Sequence, residues 1–336
     1  MGTLSGMRTT SALVFALAVL ARPAVAEPAQ DPHPIITLQV ENDAVSTYKG
    51  TSDQYYTSGL RIGYTTGTDG VPAFLQRLDH AVWGDGVQRV SIDLSQSLFT
   101  PHNTQISTPN PRDRPYAGYL RLGTALIHDT DTSRSLLGLS VGIVGPYAAG
   151  RIVQNGFHSI IGDTPNLGWS KQLPDEPALE VLVERTWRLP IVQFANLEVD
   201  TLPAATLGVG TVRDYVQLGA SVRFGQGLGS DFGAPRIRPG LSGNDPYTPT
   251  RPFAWYVFAG ADGQAIARDV FLDGSTFRSH SPHVSKEPLL GELQAGLALM
   301  FYGVRITYTQ AFQTQSFKGQ RSGLFNFGSL AAAARF

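Results

Sequence analysis

The chain has no cysteine and little lysine, and after its first 26 residues it has no long apolar run. The absence of cysteine excludes disulfides, thiolate catalysis, cysteine-ligated zinc and lipoprotein acylation. A formal net charge of −1 over 336 residues gives no electrostatic basis for binding nucleic acid, so we expect no such partner. Charged residues make up only 16% of the chain, whereas glycine and tyrosine are plentiful. This balance favours closed β-structure over a soluble helical enzyme.

The first 26 residues have the pattern of a secretory signal peptide. Arg8 precedes a short apolar run at 12–21, and the small residues Ala24 and Ala26 mark a cleavage site. A membrane anchor is the alternative, but the run is shorter than the roughly 20 residues that a spanning helix needs. We therefore predict an exported protein whose mature domain is residues 27–336.

The mature chain repeatedly alternates apolar and polar residues, which is the period of a half-buried β-strand. In the segment 55–66, for example, Leu60, Ile62 and Tyr64 share one face while Arg61 lies on the other. The pattern predicts twelve strands, near residues 35–43, 55–66, 88–98, 117–128, 134–145, 178–189, 192–203, 211–224, 253–264, 288–301, 303–312 and 323–336. An even number places both chain ends on the periplasmic side of a barrel.

Alternating strands also occur in soluble β-sandwiches, and the end of the chain separates the two possibilities. Leu330, Ala332 and Ala334 share a face with the terminal Phe336, an ending typical of bacterial outer-membrane barrels. With no spanning helix, a closed barrel satisfies every backbone polar group in lipid. We predict an all-β protein, a transmembrane antiparallel β-barrel of about twelve strands in the bacterial outer membrane, with a soluble periplasmic sandwich as the alternative.

The predicted strands assign the connections to two sides of the membrane. Outer loops are expected near 44–54, 99–116, 146–177 and 265–287, and tight periplasmic turns at Leu189-Pro190 and Tyr302-Gly303. Two connections are long for periplasmic turns. Residues 66–87 are predicted to hold a short helix through Pro72 to Leu78, and the sequence offers no explanation for residues 225–252.

One outer segment, residues 151–162, has a helical pattern. Gln154 and His158 are four residues apart, so their side chains point the same way. The apolar residues recur at spacings of three and four and are expected to rest against the barrel or acyl chains: Ile152, Val153, Phe157, Ile160 and Ile161. A short helix carrying an imidazole at the rim of a β-barrel suggests a site.

The residues near this rim suit ester hydrolysis, which requires a base and a positive group to stabilise an oxyanion. An imidazole such as that of His158 can act as a base near neutral pH. The oxygens of Asn42 and Asp43 are hard ligands suited to calcium. Lone histidines and polar residues in loops are also commonly inert, so on chemistry alone a structural role for each remains open.

A set of motifs in fixed order resembles the LpxR family of outer-membrane lipid A 3′-O-deacylases. The motifs are 41–43 (END), 55–61 (YYTSGLR), 113–118 (DRPYAG), 145–146 (GP), Gln154 with His158, and 168–169 (GW). The resemblance runs from about Ile35 to Phe336. It implies a twelve-stranded barrel, calcium dependence, and removal of the 3′-linked acyloxyacyl chain from lipid A, with lipopolysaccharide and membrane lipids as partners and a monomer as the expected state.

Carried over position by position, the resemblance assigns the catalytic residues to His158, Gln154, Asn42 and Asp43, the last two also as calcium ligands. It implies a mechanism like that of calcium-dependent phospholipases A2, in which His158 activates water and calcium stabilises the oxyanion. Thr57, Ser58 and Gly59 are expected to supply ligands or oxyanion donors at the same rim. Strand alternation sends Thr57 and Ser58 to opposite faces, and it does the same to Asn42 and Asp43 unless the end of the strand bulges or twists.

Four basic residues near the rim are hypothesised to meet the phosphates of lipid A, since guanidinium and ammonium groups bind phosphate oxygens. They are Arg112, Arg114, Arg151 and Lys171.

Two other functions remain open. A serine-type outer-membrane phospholipase is disfavoured because His158 and Ser159 are adjacent on a helix and point apart. A passive pore or structural barrel needs no catalytic rim, and lumen-facing arginines would line its channel: Arg61, Arg213, Arg223 and Arg305.

Overall fold

The computed structural model describes residues 30–46, 53–237, 246–321 and 323–336. The predicted signal peptide, residues 1–26, therefore lies outside the described residues. Within them, no helix has both the length and the apolar character needed to cross a bilayer.

The described chain is dominated by antiparallel strands, as predicted. They are β1 (Ile35–Asn42), β2 (Tyr55–Thr65), β3 (Val87–Thr100), β4 (Ala117–Asp129), β5 (Ser133–Val144), β6 (Glu176–Trp187), β7 (Leu189–Phe194), β8 (Leu197–Gly210), β9 (Arg213–Gln226), β10 (Phe253–Asp269), β11 (Leu289–Phe301), β12 (Val304–Gln313) and β13 (Phe325–Arg335). Three α-helices join them: α1 (Ala73–Trp83), α2 (Gly150–Ile161) and α3 (Val270–Asp273).

These strands close into a twelve-stranded barrel, which confirms the predicted fold. β1 pairs with β13, and β6 pairs with β8, so the sheet has no open end between them. β7 also pairs with β8 and continues the line of β6 after a break at Arg188. Thus β6 and β7 together form one position of the barrel.

The predicted turn at Leu189-Pro190 is wrong. The chain runs on as β7 and turns at Ala195, whose φ is +52°. Pro190 is tolerated within β7 because the register shifts between Pro190 and Val192, a bulge at which a missing N–H breaks no ladder bond. The predicted turn at Tyr302-Gly303 is confirmed between β11 and β12.

The two faces of the barrel differ as expected for a membrane wall. Polar residues point inward, as Gln39 and Arg61 do on β1 and β2, where their side chains hydrogen bond to each other. Large apolar side chains at alternate positions are exposed on the outside, among them Leu38, Ile62, Ile92, Leu94, Leu122, Leu139, Val141, Leu218 and Leu293. Such an extensive exposed apolar surface is what lipid contact requires.

The long segment after β9, unexplained by the sequence, folds back into the barrel. Asp231 is buried between Arg223 of β9 and Arg305 of β12, with oxygen to nitrogen distances of 2.6 and 3.0 Å. Further along, Arg236 lies 3.0 Å from Glu41 and 2.7 Å from Glu292. Because isolated buried charges are costly, these pairs fix residues 227–237 inside the lumen.

The other long connection, between β2 and β3, contains α1. The predicted helix through Pro72 to Leu78 is confirmed but continues to Trp83. Gly84, with φ of +85°, ends the helix, and its N–H donates to the carbonyl of His80.

Candidate functional site

The helix α2 lies in the third outer loop, as the sequence predicted. It begins after Ala149, whose φ is +58°, and ends at Gly162, which adopts the left-handed conformation and donates its N–H to the carbonyl of His158. Gln154 and His158 are both buried, on the side of the helix that faces the protein.

The apolar residues of α2 were expected to rest against the barrel or against acyl chains. The structure shows contact with the barrel for one of them. Only Val153 packs inward, against Leu98, Tyr116 and Trp169. The other four apolar residues do not hold the helix against the barrel, because they are exposed and point away from it: Ile152, Phe157, Ile160 and Ile161. The polar side of this amphipathic helix therefore contacts the barrel, and its apolar side is available to lipid.

The contacts of α2 and the turn before it are with the outside of the barrel wall. Gln96 of β3 donates from Nε2 to the carbonyl of Ala148 at 2.6 Å. A Cβ on Gly118 of β4 would lie 3.2 Å from Cβ of Ala148, so glycine permits this close approach. Gln96 and Leu98 alternate in phase with the exposed Leu94, which places them on the lipid-facing side. The residues under α2 are therefore outside the lumen.

Both ring nitrogens of His158 meet oxygen atoms. Nδ1 lies 2.7 Å from the carbonyl oxygen of Thr164, and Nε2 lies 2.9 Å from Oδ2 of Asp53. The side-chain amide of Asn166 donates to the same Asp53 oxygen at 2.9 Å, and Asn166 is bound to Asn155 of α2. Since a carbonyl oxygen can only accept, Nδ1 carries a proton and the ring orientation is fixed.

Asp53 is a site residue that the sequence-based prediction missed. It adopts a φ of +50°, uncommon for a residue other than glycine, and Tyr55 has φ of +60°. The carbonyl of Asp53 accepts from Oγ1 of Thr100, which is 2.7 Å from Oγ1 of Thr57. The only signal in the sequence was one aspartate in a polar loop, which carries no spacing information.

Gln154 is oriented by Trp169, which the family resemblance also included. Nε1 of Trp169 donates to Oε1 of Gln154 at 2.9 Å. This bond fixes the side-chain amide so that its other atom is the donor Nε2, which is buried and has no hydrogen-bond partner among the described residues. Gly150 makes room for the indole, because a Cβ there would lie 2.7 Å from the ring.

The backbone is irregular at both strand ends that carry candidate site residues. β1 ends at Asn42, and Asp43 begins a single 3-10 turn to Val45, so strand alternation stops between the two residues. Asp43 is buried and lies 3.4 Å from the N–H of Gln54, next to Asp53. On β2 the register shifts between Tyr56 and Ser58, a bulge at Thr57.

Ser58 and Gly59 lie on opposite faces of β2. Ser58 pairs across the sheet with Asn42 on one side and with Leu98 on the other. Gly59 instead faces the lumen beside Glu41, and a Cβ there would lie 2.1 Å from the hydroxyl of Tyr56. Gly59 thus leaves room for the Tyr56 side chain inside the barrel. The barrel wall separates Gly59 from the lipid-facing side.

The four predicted phosphate ligands have different surroundings. Arg114 is buried at the mouth of the lumen with its guanidinium 4.4 Å from the centre of the Phe99 ring, and burial lowers its pKa to about 10. This inward position does not suit a contact with lipid phosphates. Lys171 is exposed at the end of the short 3-10 turn Gly168–Lys171, and Arg112 and Arg151 are exposed as well.

The structure weighs against both alternative functions. Ser159 is exposed, and the oxygens that contact His158 belong to a carbonyl and a carboxylate, not to a hydroxyl. Residues 227–237 occupy part of the lumen, and each proposed channel arginine has an acidic partner: Arg61 with Asp93, Arg213 with Asp269, Arg223 with Asp200, and Arg305 with Asp231.

Comparison with known proteins agrees with this architecture. The structure of LpxR from Salmonella typhimurium superposes with a TM-score of 0.74 at 19% sequence identity, covering 90% of this chain and all of that one. The β domain of the Bordetella autotransporter BrkA gives a TM-score of 0.44 at 12% identity, covering 92% of this chain and all of that one. No curated protein matches the chain by sequence.

The family model described as outer membrane protein LpxR matches residues 13–336, nearly the whole chain. Together with the closed barrel and its apolar outer surface, this match also establishes the location in the outer membrane. The chain therefore belongs to the LpxR family of outer-membrane proteins.

Proposed function

We propose that this protein is a calcium-dependent lipid A deacylase that hydrolyses the 3′-linked acyloxyacyl ester at the outer leaflet. The observation that carries the proposal is that His158 lies on the buried side of α2, and that α2 covers the lipid-facing side of the wall at the end opposite to the chain termini. The ester bonds of an outer-leaflet lipid lie on this side, whereas a lumenal site would be separated from them by the wall.

His158 is the proposed general base. Thr164 holds the proton on Nδ1, so Nε2 is the nitrogen that can accept one. Nε2 lies 2.9 Å from Asp53, a direct contact, so the proposed step requires Asp53 to move aside. A water molecule bound to Nε2 in its place would give its proton to Nε2 while its oxygen attacks the acyl carbonyl. On collapse of the tetrahedral intermediate, the imidazolium would return the proton to the departing sugar oxygen, releasing a carboxylic acid.

Gln154 is the proposed oxyanion donor. Its Nε2 is buried and lacks a partner within the described part of the chain, and its orientation is set by the bond from Trp169 to Oε1. A buried donor without a partner is unfavourable unless a ligand accepts from it. A developing negative charge on the acyl oxygen would supply that acceptor, so this hydrogen bond would be strongest in the transition state.

Asn42 and Asp43 are the proposed calcium ligands. The described residues contain no cluster of three or more acidic or histidine side chains suited to a metal ion. A calcium site would therefore rest on the buried Asp43 carboxylate, the Asn42 amide oxygen, backbone carbonyls and water, all of them hard oxygen donors. When bound, calcium would polarise the ester carbonyl and stabilise the oxyanion.

The lipid-facing residues around the site match the two parts of the substrate, its acyl chains and its phosphate groups. The exposed apolar side of α2 would contact acyl chains, and Lys171 with Arg112 and Arg151 would meet phosphate groups in the adjoining headgroup layer. Arg114 is left out of this group because of its buried position.

Mass spectrometry of lipid A after incubation with the purified protein tests the proposed reaction. With calcium we expect lipid A to lose the 3′ acyloxyacyl group, and with a calcium chelator we expect no change. Adding calcium back should restore the loss. Deacylation that persists in the chelator would remove calcium from the mechanism, and loss of an acyl group from another position would contradict the assigned specificity.

A further inference from the structure

The periplasmic helix α1 lies against the outside of the barrel. On β4, His128 alternates in phase with Leu122, which is exposed on the lipid-facing side, so His128 also points outward. Its Nδ1 is 2.7 Å from Oδ2 of Asp79, the buried residue of α1. The ring of Trp83 lies over the imidazole, with 5.6 Å between ring centres. The helix therefore covers part of the lipid-facing wall.

The two flanks of α1 differ sharply in polarity. Phe74, Leu78 and Val82 recur at intervals of four residues on one flank and are 67%, 44% and 54% exposed. Gln76 and His80 lie on the other flank, also exposed. At about 100° per residue, Leu78 and His80 each lie about 100° from Asp79, the point of attachment to the wall, on opposite sides of the helix. A helix attached in this way presents its apolar flank along the wall in one direction and its polar flank in the other.

The apolar flank continues a surface already assigned to lipid. α1 follows β2, whose last outward residue, Tyr64, is exposed, and precedes β3, whose outward Ile92 is exposed. Among the described residues, no side chain covers Phe74, Leu78 and Val82. In water, three large exposed apolar side chains on one helix flank would be unfavourable.

We infer that α1 is an interfacial helix seated in the periplasmic leaflet of the membrane. Its apolar flank contacts the acyl chains of phospholipids, and its polar flank lies among headgroups and water. In this position the helix also shields the His128–Asp79 pair from lipid. The inference concerns the leaflet opposite to the proposed site and does not depend on the proposed reaction.

A single spin label tests this placement directly, since the chain contains no native cysteine. The variants Leu78→Cys and His80→Cys place the label on the apolar and the polar flank of the same helix. Leu122→Cys, on the lipid-facing wall, provides the reference for a membrane position. Each labelled protein is reconstituted in vesicles of phosphatidylethanolamine and phosphatidylglycerol, and collision rates with oxygen and with a water-soluble nickel chelate are measured.

We expect the ratio of oxygen to nickel accessibility to be several-fold higher for the label at residue 78 than at residue 80, and to approach the value at residue 122. Equal, water-like ratios at 78 and 80 would overturn the inference. A label at 78 shielded from both reagents would also overturn it, because a protein rather than lipid would then cover the flank. Val82→Cys repeats the comparison if Leu78→Cys does not fold.

Discussion

Two helices lie against the outer wall of the barrel, one near each end, and each covers a histidine paired with an aspartate. His128 of β4 meets Asp79 of α1 at 2.7 Å, and His158 of α2 meets Asp53 of the first outer loop at 2.9 Å. Both helices bury a polar residue against the wall and expose apolar residues, Leu78 on α1 and Phe157 on α2 among them. The local chemistry of the two pairs is therefore nearly the same.

The surroundings of the two pairs differ. The Asp79 side chain is completely buried, and none of the residues that the structure describes hydrogen bonds to Nε2 of His128 or to the second oxygen of Asp79. The Asp53 side chain is 18% exposed, and α2, which carries His158, also carries a buried amide donor on Gln154. A histidine–aspartate pair thus suggests a site only where solvent or substrate has access and further polar groups converge.

Among substitutions of the residues around His158, we expect Gln154→Glu to lower the deacylation rate the most. Glutamate keeps the oxygen that accepts from Trp169 but replaces the donor Nε2 with a second acceptor. Loss of one oxyanion donor lowers kcat by about a hundredfold or more. Initial rates of lipid A deacylation measure the effect. Near wild-type activity for Gln154→Glu would reduce Gln154 to a packing role.

A smaller effect is expected for Asp53→Asn. The amide cannot provide the negative charge that faces Nε2, although it preserves the shape of the side chain. We expect kcat to fall by about tenfold with little change in KM, which corresponds to about 1.4 kcal/mol of transition-state stabilisation. Asp163→Asn, which replaces an exposed aspartate of the third outer loop, is the matched control and should retain full activity. A change in KM alone would place Asp53 in substrate binding.

The corresponding change under α1, Asp79→Asn, should affect stability and not activity. It replaces the charged partner of a fully buried histidine, a loss of about 1–3 kcal/mol. Urea-induced unfolding in phospholipid vesicles measures this difference, and the deacylation rate should remain that of the wild type. A large loss of activity without a loss of stability would contradict the distinction between the two helices.

The smallest effect is expected for Lys171→Ala. An exposed charge contributes about 0.2–1 kcal/mol, so KM for phosphorylated lipid A should rise no more than about fivefold. The rates on phosphorylated and dephosphorylated lipid A are compared for the variant and the wild type. If both substrates are affected equally, Lys171 does not contact phosphate.

The sequence predicted the barrel well because lipid imposes a strict alternation on every strand. It placed β1, β4 and β11 within one or two residues of their observed ends, and it placed α2 with Gln154 and His158 on one side. Regular alternation would have separated Asn42 from Asp43 and Thr57 from Ser58, and at these positions the chain turns and bulges.

What the sequence could not supply depended on contacts between distant residues. Arg236 is 195 positions from Glu41, so no local pattern indicated that the segment after β9 returns into the lumen. Asp53 carries no motif of its own, and its role appears only when the outer loops meet. The orientation of α2 was ambiguous because an amphipathic helix outside a barrel exposes its apolar side to lipid, the reverse of a helix on a soluble core.

The central claim is that ester hydrolysis occurs at His158 of α2 and not at His128 beside α1. Comparing His158→Ala with His128→Ala tests it most directly. Mass spectra of lipid A after incubation with each purified variant and calcium give the result. We predict that His158→Ala leaves lipid A intact, and that folded His128→Ala removes the 3′ acyl group at a rate close to that of the wild type. Continued deacylation by His158→Ala would contradict the account.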